Sequence, residues 1–351
     1  MKKVVRKINF LAIFILMIAS NAFAQDIHFS QFDLAPLQQN PAMAGAIYGV
    51  EANINYKDQW RTIGAPYKTF AFGYDMRIPS KDKLAKGFLA LGFHLFNDKA
   101  GDSNMGMIQG NLSVAYHVRL NPYNTLGAAV QPGFFQRSID FGGLQWGNQY
   151  DGMFYDAGIN SGEMQGRQAF TKYDLGAGLV WTYNNTGGDI HVTDNHDLNF
   201  HAGISLFHVT TPKYSFLNTQ EQLYMKFVIH GGGVISLGDS KMALCPSFFY
   251  YRQGPAQEIY FGTMFRTLLA QDSKFTGFKN ASAIYFGLYC RAKDAFTARL
   301  LYEYAGWGFG ISYDINTSSL KDATRTRGGL ELCLRLVTSI SNKPGSSHSR
   351  Y

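Results

Sequence analysis

The residues of this sequence that are best suited to metal binding lie close together in one short stretch. They are Asp189, His191, Asp194, His196 and Asp197. Their carboxylate and imidazole groups could bind a divalent ion, but their spacing matches no zinc-binding pattern and the stretch has no cysteine. We therefore interpret the stretch as a polar turn, and we predict neither a metal ion nor any other cofactor.

Histidines and glycines elsewhere in the chain also allow a catalytic interpretation. The histidines in question lie in segments of alternating polar and apolar residues, and they are His94, His117, His201 and His208. A serine–histidine pair on such a wall could hydrolyse lipid, but the sequence has no nucleophile-elbow motif. Gly231-Gly232-Gly233 opens no helix, so it marks a bend or the close approach of another segment instead of a phosphate-binding loop. We predict a protein without enzymatic activity.

Aromatic and polar residues in two predicted loops are of the types that protein-binding surfaces use. These candidate docking residues are Gln59, Trp60, Arg61, Trp146, Gln149 and Tyr150. Tryptophan, tyrosine and arginine contribute strongly to binding energy at interfaces. The same residues would also suit an aromatic girdle at a membrane interface or the packing of one loop on another.

The segment Met107–Leu120 indicates the kind of element that positions these residues. Its even-numbered positions are mostly large and apolar, whereas its odd-numbered positions are mostly polar. A period of two is that of a β-strand. This strand is longer than an average soluble strand and long enough to cross a bilayer at a tilt.

Similar segments recur along the chain and predict about fourteen strands. We place them near residues 50–56, 67–77, 86–97, 107–120, 124–137, 172–184, 197–207, 224–237, 242–252, 258–266, 283–291, 296–304, 308–313 and 329–336. Apolar faces repeated around a sheet need lipid or a second sheet to cover them. Because backbone groups in hydrocarbon have no water partners, a sheet in lipid must close on itself. The sequence therefore predicts an all-β protein, a closed antiparallel transmembrane β-barrel over residues 50–338 in the outer membrane.

The ends of the chain are predicted to lie outside this barrel. Residues 1–24 have a basic start, an apolar run and a small-residue cleavage site after Ala24, as in a secretory signal peptide. Residues 25–49 have no strand periodicity, and we expect an irregular segment on the periplasmic side. Residues 339–351 form a polar tail.

Composition narrows the possible functions. The formal charge of +7 falls to about +3 without the signal peptide, which is too little to indicate nucleic-acid binding. Glycine (37 residues) and aromatic residues (15%) are abundant, as in barrel walls and interface girdles. Cys245, Cys290 and Cys333 fall within predicted strands, so we expect small buried side chains and no disulfide framework.

The residues after the cleavage site resemble the opening of a known family. The matching positions are Gln25, Asp26, His28, Phe29, Ser30, Gln31, Phe32, Pro36, Asn40, Pro41 and Gly45. Together with weaker matches at residues 58–61, 203–208, 312–314 and 329–334, they resemble the PorP/SprF family of Bacteroidetes, which are outer-membrane proteins of type IX secretion and gliding motility. The tail at residues 339–351 departs from that family, whose members usually finish close to the last strand.

The resemblance implies a role in protein secretion. We expect a barrel that helps to export or anchor a secreted adhesin or effector by docking its C-terminal domain, together with other type IX components. The alternatives are an outer-membrane transport pore, either porin-like or for hydrophobic solutes, and a soluble periplasmic β-sandwich. Whether a segment fills the lumen would distinguish docking from transport.

Overall fold

Fourteen antiparallel strands make up most of the residues that the structure describes. The computed structural model describes residues 26–61, 65–79, 86–101, 103–141, 144–162, 168–185, 198–216, 220–238, 241–270, 280–318 and 321–338. The strands are β1 (Val50–Gln59), β2 (Tyr67–Arg77), β3 (Gly87–Ala100), β4 (Met105–Arg119), β5 (Asn124–Ser138), β6 (Ala169–Asn184), β7 (Leu198–Phe207), β8 (Lys226–Ser236), β9 (Met242–Gln253), β10 (Ala256–Ala270), β11 (Ser282–Arg291), β12 (Ala295–Tyr304), β13 (Trp307–Asn316) and β14 (Arg327–Thr338). The predicted strands correspond to these one for one, with ends that differ by a few residues.

The sheet closes into a barrel. Each strand pairs with its neighbours in the sequence, and β1 pairs with β14 from Val50 opposite Thr338 to Gln59 opposite Gly329. This seam leaves the sheet without an open edge, as hydrocarbon requires. The predicted closed antiparallel barrel is confirmed.

The two faces of the wall differ as the alternation predicts. On β4, Leu112 points outward and is 48% exposed, whereas its neighbour Ser113 points inward and is fully buried. The other outward side chains of β4 include Ile108 and Tyr116, and the inward ones include His117. The apolar face is therefore available to lipid, and the polar face lines the interior.

The two ends of the barrel differ in their connections. One end, the long-loop end, carries the connections 60–66, 101–104, 139–168, 208–225, 254–255, 292–294 and 317–326. The other end, the terminal end, carries the start of β1, the finish of β14 and the remaining connections. Because outer-membrane barrels have long extracellular loops and short periplasmic turns, the connections 139–168 and 208–225 lead us to expect that the long-loop end faces the cell exterior.

The interior of the barrel is filled by residues 26–47, which we call the N-terminal segment. The sequence predicts an irregular periplasmic segment here, but the structure places these residues inside the wall, running from the long-loop end to the terminal end. Short helical turns at Phe32–Leu34, Pro36–Gln39 and Pro41–Met43 shape it. Proline suits the first position of a helical turn because its missing N–H needs no partner there. The apolar side chains of the segment are buried against the wall, which gives the barrel a packed core.

Two other short helical turns lie in loops, at Gly147–Gln149 and Lys321–Thr324. No helix in the described ranges is long and apolar enough to span a bilayer. Four predicted features lie outside the described residues: the signal peptide with Ala24, the motif residue Gln25, the polar turn at residues 189–197 with all of its candidate metal ligands, and the tail at 339–351.

Candidate functional site

The N-terminal segment begins in a charged cluster at the long-loop end, which we call the latch. His208 Nε2 donates to Asp26 Oδ2 at 2.8 Å, and His208 Nδ1 donates to Asp174 Oδ2 at 2.6 Å. Lys226 Nζ lies 3.3 Å from the same oxygen of Asp26. Gln253 Oε1 accepts a hydrogen bond from the backbone N–H of Asp26, and Gln253 Nε2 donates one to the Asp26 carboxylate. The imidazole thus donates to two carboxylates at once, which requires its protonated form.

The latch shifts the pKa values of its two titrating members in opposite directions. Burial opposes ionisation of Asp26, but the charges of His208 and Lys226 outweigh burial and hold the pKa of Asp26 well below its usual range. Burial likewise opposes protonation of His208, but Asp26 and Asp174 outweigh it and raise the pKa of His208 to about 9. The latch is therefore charged at neutral pH.

The latch predicts a loss of stability at alkaline pH. Since the pKa of His208 is higher in the folded protein, its contribution is complete below about pH 6.5 and disappears as the pH rises through about 9. Such a shift is worth about 3 kcal/mol. We expect the difference in urea stability between the wild type and His208→Gln, measured in detergent micelles, to shrink over this interval. The control His94→Gln removes a buried ring that has no hydrogen-bond partner among the described residues. The difference in urea stability between this variant and the wild type should stay constant over the same pH interval. A constant difference for His208→Gln would contradict the prediction.

Deeper inside the barrel than the latch, a buried carboxylate on β14 binds the N-terminal segment. Glu331 accepts hydrogen bonds from the backbone N–H groups of Ser30 at 2.6 Å and Gln31 at 2.9 Å. Its other contact is Lys57 Nζ at 2.9 Å, and both side chains are only 2% exposed. Lys57 also donates to the carbonyl of His28 at 3.0 Å. Since Lys57 lies on β1 and Glu331 on β14, the two seam strands hold the segment jointly.

A second ion-pair group lies beside the first. The Ser30 hydroxyl donates to Asp314 Oδ2 at 2.7 Å and accepts from Arg291 Nη2 at 2.8 Å. Arg291 also pairs with Glu258, which in turn contacts His28 Nε2 at 3.1 Å. Burial, and then the positive charge of Arg291, keep the pKa of His28 well below its ordinary value. The opening motif thus meets charges of both signs on the wall.

The next residues of the N-terminal segment are held by aromatic packing and by a third ion pair. The Phe32 ring stacks on Phe249, with ring centroids 5.6 Å apart, and meets Tyr260 edge-on. Its neighbour Asp33 forms an ion pair with Arg299. Edge-on and offset aromatic pairs contribute about 0.5–1.5 kcal/mol beyond area burial. Phe32 and Asp33 therefore bind the wall through apolar and charged contacts, respectively.

Asn40 packs against the wall at Gly203, which has no side chain. Its Nδ2 donates to the carbonyl of Leu179 at 2.9 Å and lies 3.0 Å from His230 Nε2, while its Oδ1 accepts from the backbone of Ala42. A Cβ at Gly203 would lie 2.5 Å from both Nδ2 and that ring nitrogen. Glycine at position 203 therefore provides the space that Asn40 occupies.

The segment is fixed again at the terminal end. Gly45 adopts φ +61°, its N–H donates to Asp75 Oδ1 at 2.7 Å, and its carbonyl accepts from Arg77 Nε at 2.6 Å. His117 Nε2 donates to the carbonyl of Ala44 at 2.8 Å. Every described residue of the opening motif thus lies inside the barrel, held at both ends and between them.

The three cysteines of the barrel wall lie within strands and form no disulfide bond. Cys245 and Cys333 are buried and Cys290 is half-buried, and all three are free thiols. No group of three or more histidine, cysteine, aspartate or glutamate residues in the described ranges is arranged to hold a metal ion. The sequence allows a role for His208 in lipid hydrolysis but does not reveal the latch, because Asp26 and Asp174 are distant from His208 in the sequence.

The long-loop end carries an exposed apolar tip on the connection 139–168. Met153 and Phe154 are 77% and 73% exposed. Asp151 holds their turn, because its carboxylate accepts from the backbone N–H groups of both at 2.7 and 2.6 Å. The hydrogen bond from Phe154, and then the one from Met153, keep the pKa of Asp151 below its usual range. A bridge between Tyr150 and Tyr155 closes the turn, so we call residues 150–155 the loop tip.

The predicted docking residues are all at the long-loop end, but they fall into two groups. Trp60 packs edge-on against Tyr67, with centroids 5.0 Å apart, and Arg61 is bound to Asp58. Gln59 ends β1. Among the described residues, no hydrogen bond, ion pair or ring contact joins these three to the second group.

The second group supports the loop tip. Trp146 precedes the helical turn Gly147–Gln149, the buried Gln149 donates to the carbonyl of Ile159 at 3.0 Å, and Tyr150 is 55% exposed. Met153 and Phe154 were not among the predicted docking residues. The Asp151-Gly152 pair, a turn signal followed by two large apolar residues, could have revealed them.

Several solved structures are similar to this chain. The TodX monoaromatic hydrocarbon channel deltaS2 mutant is 10% identical with a TM-score of 0.46, over 87% of this chain and 93% of that one. BamA from Haemophilus ducreyi lacking POTRA domains 1–3 is 8% identical with a TM-score of 0.41, over 83% and 70%. The translocator domain of the autotransporter NalP from Neisseria meningitidis is 11% identical with a TM-score of 0.33, over 87% and 94%. No curated protein matches the chain.

The family comparison covers most of the sequence. Residues 21–336 match the family described as type IX secretion system membrane protein PorP/SprF. The matched range includes the N-terminal segment and nearly all of the barrel wall. The chain therefore belongs to the PorP/SprF family, and it is an integral outer-membrane β-barrel.

Proposed function

We propose that this barrel helps to export or anchor a secreted adhesin or effector by docking that protein's C-terminal domain at the long-loop end. The observation that carries the proposal is the loop tip, where Met153 and Phe154 expose large apolar side chains at the long-loop end. Large exposed apolar side chains on an ordered surface are typical of binding sites. Other components of the type IX secretion system would act with the barrel.

The order of the loop tip supports binding. The hydrogen bonds from Met153 and Phe154 to Asp151, and the contacts of Gln149 with Ile159, fix the turn before any partner arrives. A site that is already ordered loses less conformational entropy on binding than a flexible loop would. Tyrosine at either side of the tip adds the residue type that is enriched at interfaces.

The filled lumen favours docking over the alternative of a transport pore. The N-terminal segment bonds to the wall from the latch to Gly45, so an open solute path would require its release. A docking protein has no need of an open lumen. The closed sheet argues against a soluble β-sandwich, since its large apolar side chains point outward instead of toward a second sheet.

Crosslinking from intact cells tests this proposal. A photoreactive amino acid at Phe154 should capture the C-terminal domain of a surface protein, identified by mass spectrometry. The double variant Met153→Ser/Phe154→Ser should reduce retention of that protein at the cell surface, by about tenfold if the pair contributes a single hot spot. Val209→Ser, in the neighbouring loop, is the matched control and should retain it. Capture of no secreted protein and no type IX component, with unchanged retention, would overturn the proposal.

A further inference from the structure

Two buried carboxylates face one another across β1 and β2, close to the terminal end. Glu51 is paired directly opposite Asp75, and both side chains point into the barrel and are at most 5% exposed. The Cβ atoms of two such opposed residues lie about 4.5–5.5 Å apart. Like charges directly opposite each other destabilise a sheet, and burial away from water increases the cost. The pair therefore requires a positive charge or a proton between its members.

An amide without a partner lies beside this pair. Asn53, the next inward residue of β1, is 2% exposed, and neither polar atom of its side chain has a hydrogen-bond partner among the described residues. A Cβ at Gly73, the inward position of β2 next to Asp75, would lie 2.7 Å from Asn53 Oδ1. Glu51 Oε1 and Asp75 Oδ2 are buried and equally unpartnered. Since buried polar atoms nearly always have a partner, these three side chains together indicate bound water or an ion.

The neighbouring cations of the wall have other partners. Arg335 of β14 forms an ion pair with Glu303. Arg77 of β2 donates to backbone carbonyls of the N-terminal segment. In the part of the chain that the structure describes, no lysine, arginine or histidine forms an ion pair with Glu51 or Asp75. Water alone would leave the two buried charges without a counter-charge, whereas a bound cation would supply one.

We propose that Glu51, Asp75 and Asn53 bind one calcium ion inside the barrel. Calcium takes six to eight oxygen ligands in flexible geometry, whereas magnesium demands a near-ideal octahedron. The two carboxylates and the amide oxygen supply part of the calcium set. An inner cavity of about 140 Å³, which Glu51 helps to line, has room for water molecules that complete it.

The proposed ion would strengthen the attachment of the N-terminal segment. Asp75 accepts from the backbone N–H of Gly45 through Oδ1, which leaves Oδ2 for the ion. A bound ion would hold the Asp75 carboxylate in the orientation that Gly45 requires. The proposal is independent of cargo docking.

Another residue of β1 provides a comparison. Asn55, the next inward position after Asn53, is also buried and without a hydrogen-bond partner among the described residues. It lies opposite Ala71 on β2 and Cys333 on β14, so no carboxylate faces it. A water molecule satisfies a neutral amide, and Asn55 is therefore not part of the proposed site.

Calorimetric titration of the full-length protein in detergent micelles tests the proposal. After treatment with EGTA and its removal, the wild type should bind calcium at one saturable site per barrel. Glu51→Gln and Asp75→Asn should each weaken binding by at least about tenfold, since the loss of even an outer-shell partner costs that much. Asn53→Leu should also weaken it, whereas the matched control Asn55→Leu should not. The absence of saturable binding, or binding that persists in both carboxylate variants, would overturn the proposal.

Urea stability gives a second measurement. In EGTA, Glu51→Gln should be at least as stable as the wild type, because it removes one of two opposed charges. Excess calcium should raise the urea midpoint of the wild type, since a ligand that binds only the folded protein stabilises it, and should shift that of Glu51→Gln much less. If the two carboxylates share a proton instead, calcium would change neither midpoint, and that result would overturn the proposal.

Discussion

Replacing Glu331 by alanine is expected to destabilise the barrel by about 3–5 kcal/mol, because the change leaves a buried charge without its partner. Lys57 would lose the carboxylate at 2.9 Å, and the backbone N–H groups of Ser30 and Gln31 would lose their acceptor. Urea unfolding in detergent micelles, followed by the shift in gel mobility between folded and unfolded barrel, measures the loss.

Two further variants separate the charge from the hydrogen bonds. Glu331→Gln keeps one acceptor oxygen and should lose less stability than Glu331→Ala. Asp294→Ala removes a carboxylate that is 42% exposed, and Arg291 keeps its pairs with Asp314 and Glu258, so we expect a change of less than about 1 kcal/mol. Equal stability of the Glu331→Ala variant and the wild type would show that the seam does not depend on this carboxylate.

Deleting residues 26–47 is expected to open the barrel to ions. The segment occupies the lumen from the latch to Gly45, and fourteen strands enclose more space than inward side chains alone can fill. Planar-bilayer recordings should show stable conductance for the deletion variant and little for the intact protein.

The control for this deletion removes chain from the same end of the barrel. Deleting residues 150–155 takes away the loop tip but leaves the lumen filled, so it should add no conductance. Large conductance in the intact protein would indicate that the segment leaves the lumen, and would favour the transport pore over docking.

The wall of this protein could be predicted from its sequence, because its signal is local. Each strand alternates between lipid and lumen, so Leu112 and Ser113 reveal their faces without knowledge of any other strand. The closed fold follows because hydrocarbon leaves no place for an open edge. The number of strands and their order could therefore be obtained by counting alternating segments.

The contents of the lumen could not be predicted in this way. The N-terminal segment has no periodicity, and its partners are far away in sequence: Ser30 bonds to Glu331, and Asp26 to His208. Nothing in the sequence near Glu331 indicates which of the charged residues on other strands it meets. At the loop tip the Asp151-Gly152 pair signals a turn, but the exposure of Met153 and Phe154 depends on how Asp151 folds that turn.

The seam has a consequence for biogenesis. The two strands that close the ring, β1 and β14, are also the two that hold Ser30 and Gln31 through Lys57 and Glu331. Because the same two strands close the ring and hold the inner segment, we expect that segment to be threaded before the ring shuts. Contacts so distant in sequence form slowly, because a long loop must close before they are gained. An assembly factor that keeps the first and last strands apart until threading is complete would act at the slowest step.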